Sequence, residues 1–243
     1  MNKIKISSRL LKCAEMVSSG TKIADIGTDH AYIPIYLMLN SKISHAIASD
    51  IKIGPLQNAI KNIKKYNLEN NIETRISDGL DKINESEADE IIIAGIGGNI
   101  ISNILEKCTW KNKKNKVFII NPMKYEERLR EFLYNNGYEI KKECAVICSE
   151  KVYSVMKVIY TGQKIKIDPK EKYIGKMEEN INQAEKAYIK KQIKNLSNHL
   201  KGAKSNNQTE KEKYFEHIIN NLKNLLSKKD DTKWQKLKIF LIL

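Results

Sequence analysis

Across 243 residues, 43 Lys and Arg stand against 29 Asp and Glu, a formal net charge of +14 at pH 7 with most of the excess in the C-terminal third. A chain of this length holds one substantial core and a smaller appendage, and a field of this sign favours a polyanionic partner or an acidic surface, a merely lysine-rich composition being the alternative. No apolar run reaches the roughly 18 residues of a membrane span, and Cys13, Cys108, Cys144 and Cys148 form no CxxC pair, which argues for reduced thiols in a soluble, cytoplasmic protein and against a metal site.

A first amphipathic helix covers about a dozen residues of "MNKIKISSRLLKCAEMV". Short β-branched runs then alternate with helical patterns. Strands are expected at Lys22 to Gly27, His45 to Asp50, Ile72 to Asp78, Glu90 to Ile96 and Val117 to Asn121. Helices are expected in "AYIPIYLML", "GPLQNAIKNIKKYN", "GGNIISNILEKC" and "YEERLREFLYNNG", the last stopping on Gly137. This repetition predicts an α/β fold with a doubly wound, Rossmann-like parallel sheet. The alternation breaks at "YEIKKECAVIC" and "VYSVMKVIY", which only "SEK" separates, so the sheet should close with an antiparallel hairpin.

A polar stretch, "TGQKIKIDPKEK", reads as a linker, placing a boundary between residues 1–162 and 163–243. Beyond it, Ile174, Met177, Ile181, Ala184 and Tyr188 step by three and four, and Phe215, Ile218, Leu222 and Leu225 resume that stepping after "KGAKSNNQTE". The pattern predicts a C-terminal coiled-coil-like helical hairpin. Lys186, Lys190, Lys191, Lys194, Lys201 and Lys204 ride its first helix and turn, as an RNA-contacting face or a solvated one. The apolar tail "WQKLKIFLIL" is too short to span a bilayer and suits packing on a neighbouring element or a second subunit.

In an open parallel sheet the ligand crevice lies at the C-terminal strand ends, where the strand order reverses. Those ends are acidic here: Asp25 and Asp29 around the first, Asp50 after the second, Asp78 after the third. Asp50 suits a ribose diol, whose hydroxyls both donate to one carboxylate. Asp29 excludes a pyrophosphate, because like charges about 4 Å apart cost roughly 4 kcal/mol at an effective dielectric of 20. S-adenosylmethionine fits instead, since it brings an ammonium and a sulfonium to this loop and no phosphate. Asp78-Gly79 suits an adenine amine, and "AGIGGN" lets backbone approach the reactive end, or is only a tight turn. Asn121 and Pro122 of "NPMKY" form a turn that lines the pocket in one reading. His30 and Tyr32 have bland alternatives as a helix opener and a core ring.

With "ADIGTDHAYIP", "SDIKIGPLQNA", "SDGL", "IIIAGIGG" and "INPMKYEERLREFL" in that order, the stretch from about Arg9 to Tyr160 resembles the bacterial tRNA (adenine-22-N1)-methyltransferase family, TrmK. The resemblance implies a class I S-adenosylmethionine-dependent methyltransferase domain, a small coiled-coil domain behind it, and methyl transfer to N1 of an adenosine in the tRNA D-arm. The implied cofactor-binding positions are Arg9, Asp25, Gly27, Asp29, His30, Ala31, Asp50, Ile51, Asp78, Gly79, Ala94, Gly95 and Gly97. Asp29, Tyr32 and Asn121 are the candidates nearest the chemistry, with Asp29 accepting from the adenine amine or holding the cofactor's amino group. The partner would be tRNA, helped by Lys3, Lys5, Arg9 and Lys12, with no metal and no membrane, acting as a monomer or weak dimer. A small-molecule methyltransferase with a dimerising hairpin and a non-catalytic RNA-binding protein are the competing readings.

Overall fold

The computed structural model describes residues 4–177 and 181–240, with side chains through residue 227. Lys3 and the end of "WQKLKIFLIL" lie outside the described residues. The chain divides into two compact units, Met1–Ile167 and Asp168–Leu243.

The first unit begins with helix α1 (Ser8–Met16) and then alternates β1 (Thr21–Ile26), α2 (Tyr32–Leu39), β2 (Ile43–Asp50), α3 (Ile53–Lys65), β3 (Ile72–Ile76), β4 (Glu90–Ile96), α4 (Gly98–Lys107), β5 (Val117–Pro122) and α5 (Glu126–Asn135). Strands β6 (Tyr138–Cys148) and β7 (Lys151–Tyr160) end it, joined by two residues with Ser149 at φ 54°. All seven form one sheet in the order β3-β2-β1-β4-β5-β7-β6, parallel through β5 and antiparallel where β7 meets β5 and β6. The order reverses between β1 and β4, and that switch point opens the crevice.

Near-continuous apolar strands such as Ile91, Ile92 and Ile93, all fully buried, reflect a sheet covered on both faces. One face packs α1, α2 and α3 through Cys13, Ile35, Leu37 and Ile63. The other packs α4 and α5 through Ile101, Leu105, Leu129 and Leu133. Helix α5 carries Arg130, whose guanidinium meets Glu143 of β6 at 2.7 Å with both side chains wholly buried. Ser154 of β7 donates its hydroxyl to the same carboxylate.

In the second unit, the expected linker already contains a helix, α6 (Pro169–Ile174). Asp168 caps it by accepting from the amides of Lys170 (2.8 Å) and Glu171 (3.2 Å), and Pro169 sits where its missing N–H costs nothing. The stepping from Ile174 to Tyr188 is therefore not one helix. Gly175, at φ 55°, ends α6, and Asn182 with Glu185 forms a capping box that starts α7 (Gln183–Ser205). Helix α8 (Thr209–Phe240) follows and packs on α7 through Ile189, Leu196, Ile218 and Leu222. His199 stacking on Phe215 and Lys204 pairing with Glu216 at 2.8 Å set the two helices side by side from their shared turn.

Candidate active site

The β1–α2 loop is built to leave its edge open. Gly27, at φ 76°, lets the amides of Gly27 and Thr28 both donate to the Ser49 carbonyl at 2.8 Å, which ties the end of β1 to β2. Ala31 takes the left-handed region at φ 53° as the residue opening α2, its amide donating to Thr28 Oγ1 at 3.1 Å. From α3, Asn62 donates to the His30 carbonyl at 3.0 Å and fixes the loop from the side.

Asp25 is buried at the floor, and burial pushes its carboxyl up to about 6 from 3.8, the Thr28 hydrogen bond opposing and the Asp50 charge adding to the rise. Asp29 is exposed, its carboxylate 3.2 Å from His30 Nε2, and the His30 ring stacks on Tyr32 at 4.9 Å and 18°. Arg9 reaches in from α1. Its Nη1 donates to Asn121 Oδ1 at 3.1 Å, and a Cβ at Gly95 would come within 3.4 Å of the same nitrogen. The left-handed φ of 87° at Gly95 and the approach of Arg9 both account for that glycine.

These residues enclose a cavity of about 390 Å³, within the range of small-ligand sites. Of the expected positions, Arg9, Asp25, Gly27, Asp29, His30, Tyr32, Ala94 and Gly95 line it, joined by Lys5, Ser7 and Thr28. Lys5 is expected from the sequence only as an aid to tRNA binding, nothing in the sequence singles out Ser7, and Thr28 differs from its loop neighbours only in what it bonds. Ala31 is wholly buried behind the loop, and Ile51 stands 58% exposed beyond β2. The Asp50 carboxylate accepts from the Lys52 amide at 2.7 Å.

Asp78 and Gly79 stand apart. Strand β3 stops at Ile76, Ser77 Oγ donates to the Gly79 carbonyl, and Asp78 turns toward Lys107 at 3.3 Å. Both residues line a second cavity of about 740 Å³ with Ile100 and Trp110. Asn121 does not line the 390 Å³ cavity either. It is wholly buried, accepting from Arg9 and donating through Nδ2 to the Ser154 carbonyl at 2.8 Å. Its side chain braces Arg9, with Oδ1 and Nδ2 each engaged in one hydrogen bond.

Of the "AGIGGN" glycines, Gly97 has nothing within 4 Å of a would-be Cβ, whereas a Cβ on Gly98 would stand 2.7 Å from the Tyr125 carbonyl oxygen and 3.0 Å from that of Lys124. Gly98→Ala should therefore destabilise by about 1–3 kcal/mol through a forced backbone shift, while Gly97→Ala stays within about 0.5 kcal/mol. Matching thermal melts for the two variants would contradict this packing argument.

A doubly wound sheet closed by an antiparallel hairpin, with acids at the β1 and β2 ends and a glycine turn after β4, is the architecture of a class I methyltransferase. The sequence matches the methyltransferase domain family over residues 6–156. It is 40% identical over 156 residues to a tRNA (adenine(22)-N(1))-methyltransferase of Bacillus subtilis, an alignment spanning 64% of this chain and 66% of that protein, just under two thirds. The structure superposes on the B. subtilis m1A22 tRNA methyltransferase TrmK with a TM-score of 0.78 at 29% identity, covering 91% of this chain and 98% of that one. It also superposes on a Streptococcus pneumoniae putative tRNA (m1A22) methyltransferase in complex with S-adenosyl-L-methionine, with a TM-score of 0.77 at 28% identity, covering 88% of this chain and 100% of that one. The chain belongs to the methyltransferase domain family.

No helix among the described residues is long and apolar enough to cross a membrane, and no group of three or more His, Cys, Asp or Glu among them could hold a metal ion.

Proposed function

We propose that this chain transfers the methyl group of S-adenosylmethionine to N1 of adenosine 22 in the D-arm of tRNA. The observation that carries the reading is the sign of the crevice. A buried carboxylate, Asp25, and an exposed one, Asp29, face it together with the fixed guanidinium of Arg9 and, at its edge, Lys5. That set suits a zwitterionic amino acid attached to a sulfonium and repels a pyrophosphate. The chemistry brought by the cofactor is a methyl carbon activated by positive sulfur.

The residues then divide the work. Arg9 offers the counter-charge for a carboxylate, held in place by Asn121. Asp25 gains a cationic neighbour that compensates its burial. Asp50, at the end of β2, is the carboxylate that suits ribose hydroxyls. Adenine N1 carries its own lone pair at neutral pH, so the protein need only place the ring and balance the charge it acquires. Asp29 is the group for that task, because its carboxylate remains exposed on the crevice lip beside the His30–Tyr32 stack. A carboxylate accepting from the N6 amine orients the ring and stabilises the methylated cation.

In the second unit, Lys190, Lys194, Lys201 and Lys204 of α7 are exposed, although Lys204 shares its charge with Glu216. Such a face suits the phosphate backbone of tRNA, and its contribution should fall steeply with salt.

The direct test is incubation with labelled S-adenosylmethionine and unmodified tRNA followed by nucleoside analysis. N1-methyladenosine at position 22 is expected, and its absence would sink the reading. Asp29→Ala should lower kcat roughly tenfold or more while tRNA affinity stays within about twofold. Unchanged turnover would remove Asp29 from the chemistry.

A further inference from the structure

Tyr125 occupies a place in the fold that its side chain makes unfavourable. It is the residue before α5, at φ 61° and ψ 39°, a left-handed conformation that a bulky residue adopts only when its surroundings impose it. The surroundings here are two loops bonded together. Gly98 donates its amide to the Lys124 carbonyl at 2.9 Å, Met123 donates to the Ile96 carbonyl at 2.9 Å, and Leu129 donates to the Tyr125 carbonyl at 3.1 Å. Gly98 is the position at which any Cβ would strike that same Tyr125 carbonyl. The turn after β4, which adjoins the crevice through Ala94 and Gly95, is thus shaped to seat the turn that carries Tyr125.

The ring so placed is not buried. Tyr125 is 43% exposed, and the guanidinium of Arg128, itself exposed, lies over its ring at 5.0 Å from the centroid. An aromatic ring with one face covered by a guanidinium offers its second face to a flat partner. Lys124 beside it is also exposed.

Topology adds direction. Tyr32 follows β1, Tyr125 follows β5, and β4 lies between those strands. The two strands therefore stand about two strand spacings apart, roughly 10 Å, on either side of β4, so both aromatic residues follow strand ends that flank the switch point.

We infer that Tyr125 is a stacking residue for the nucleobase delivered to the crevice, its open face receiving an adenine drawn out of the RNA stack while Arg128 and Lys124 meet the flanking phosphates. The inference rests on the RNA-methylating reading above and names a residue that reading did not use. Extruding a base costs a few kcal/mol, and stacking on an aromatic ring offsets a comparable amount. The strained turn keeps the ring in position before the RNA arrives, so its ordering is not a cost of binding.

The test compares Tyr125→Ala, Tyr125→Phe and Tyr125→Gly with the parent chain. Tyr125→Ala should lower kcat/KM for tRNA about ten- to a hundredfold, with the dissociation constant for S-adenosylmethionine, read by calorimetry, within about twofold. Tyr125→Phe should restore activity to within about twofold of the parent. Tyr125→Gly should be as impaired as the alanine variant while melting no lower than the parent, because glycine removes the backbone strain along with the ring. With tRNA carrying 2-aminopurine in place of the target adenosine, the parent complex should be dimmer than the Tyr125→Ala complex, since stacking quenches the probe. Equal emission from the two complexes, or a Tyr125→Ala variant within about twofold of parent activity, overturns the assignment. If the parent makes no N1-methyladenosine yet quenches the probe through Tyr125, the methyl-transfer reading falls and the stacking role stands.

Discussion

Asp25→Asn is expected to stabilise the free protein at neutral pH and to weaken its hold on S-adenosylmethionine. Burial raises the Asp25 carboxyl from 3.8 to about 6, so the fold favours the protonated acid. A group raised in this way contributes stability that is fully present below about pH 4 and lost as pH climbs through about 6. At pH 7 the shift corresponds to about 3 kcal/mol of strain in the ionised, empty crevice. An asparagine still accepts from Thr28 and never ionises, so urea denaturation at pH 7 should show the variant more stable than the parent, with the difference vanishing toward pH 4. Binding shows the opposite sign. A cationic ligand selects the ionised carboxylate, and below pH 6 binding must also expel a proton. Affinity of the parent should therefore fall about tenfold between pH 7 and pH 5, while the asparagine variant binds more weakly throughout and with a flatter profile. A parent affinity that calorimetry finds level across that interval would remove Asp25 from cofactor binding.

Asp25 was visible in the sequence because its signal is local: an acid at the end of a β-branched run, next to a turn glycine. The same holds for the sheet, whose short β-branched apolar runs give way to a helical period at each boundary. Where the sequence misled, a cap outweighed a period. The stepping from Ile174 to Tyr188 is helical in spacing, but Gly175 and the Asn182–Glu185 capping box cut it into two helices. The third strand differs from its expected extent for a related reason. β3 is two residues shorter than its apolar pattern suggested, and those residues turn Asp78 toward Lys107. What could not be read at all is the chain of contacts that fixes Arg9. Its partner Asn121 lies 112 positions away, and Ser154 lies a further 33 beyond. Neither spacing follows any helix or strand period, since β5 and β7 meet only through the antiparallel closure of the sheet.

That long-range chain separates structural from functional polar groups, and mutation should separate them too. Glu143→Ala removes the carboxylate that takes Arg130 Nε and Nη2 and the Ser154 hydroxyl in a fully dry environment. The expected loss is about 3–5 kcal/mol, read as a lower urea midpoint. Replacing both Arg130 and Glu143 with methionine should recover most of it, because two charges are then removed together and the volume is refilled. The double variant should also keep cofactor affinity within about twofold. Asn121 Nδ2 is held by the backbone carbonyl of Ser154 rather than by its hydroxyl, so the hold on Arg9 survives the loss of the ion pair. Asn121→Ala should behave in the reverse way. Its stability cost is smaller, about 1–3 kcal/mol for the stranded Ser154 carbonyl, but Arg9 loses its acceptor and cofactor affinity should drop about tenfold. If the double methionine variant lost affinity as severely as Asn121→Ala, the ion pair would belong to the site itself and not merely to the scaffold beneath it.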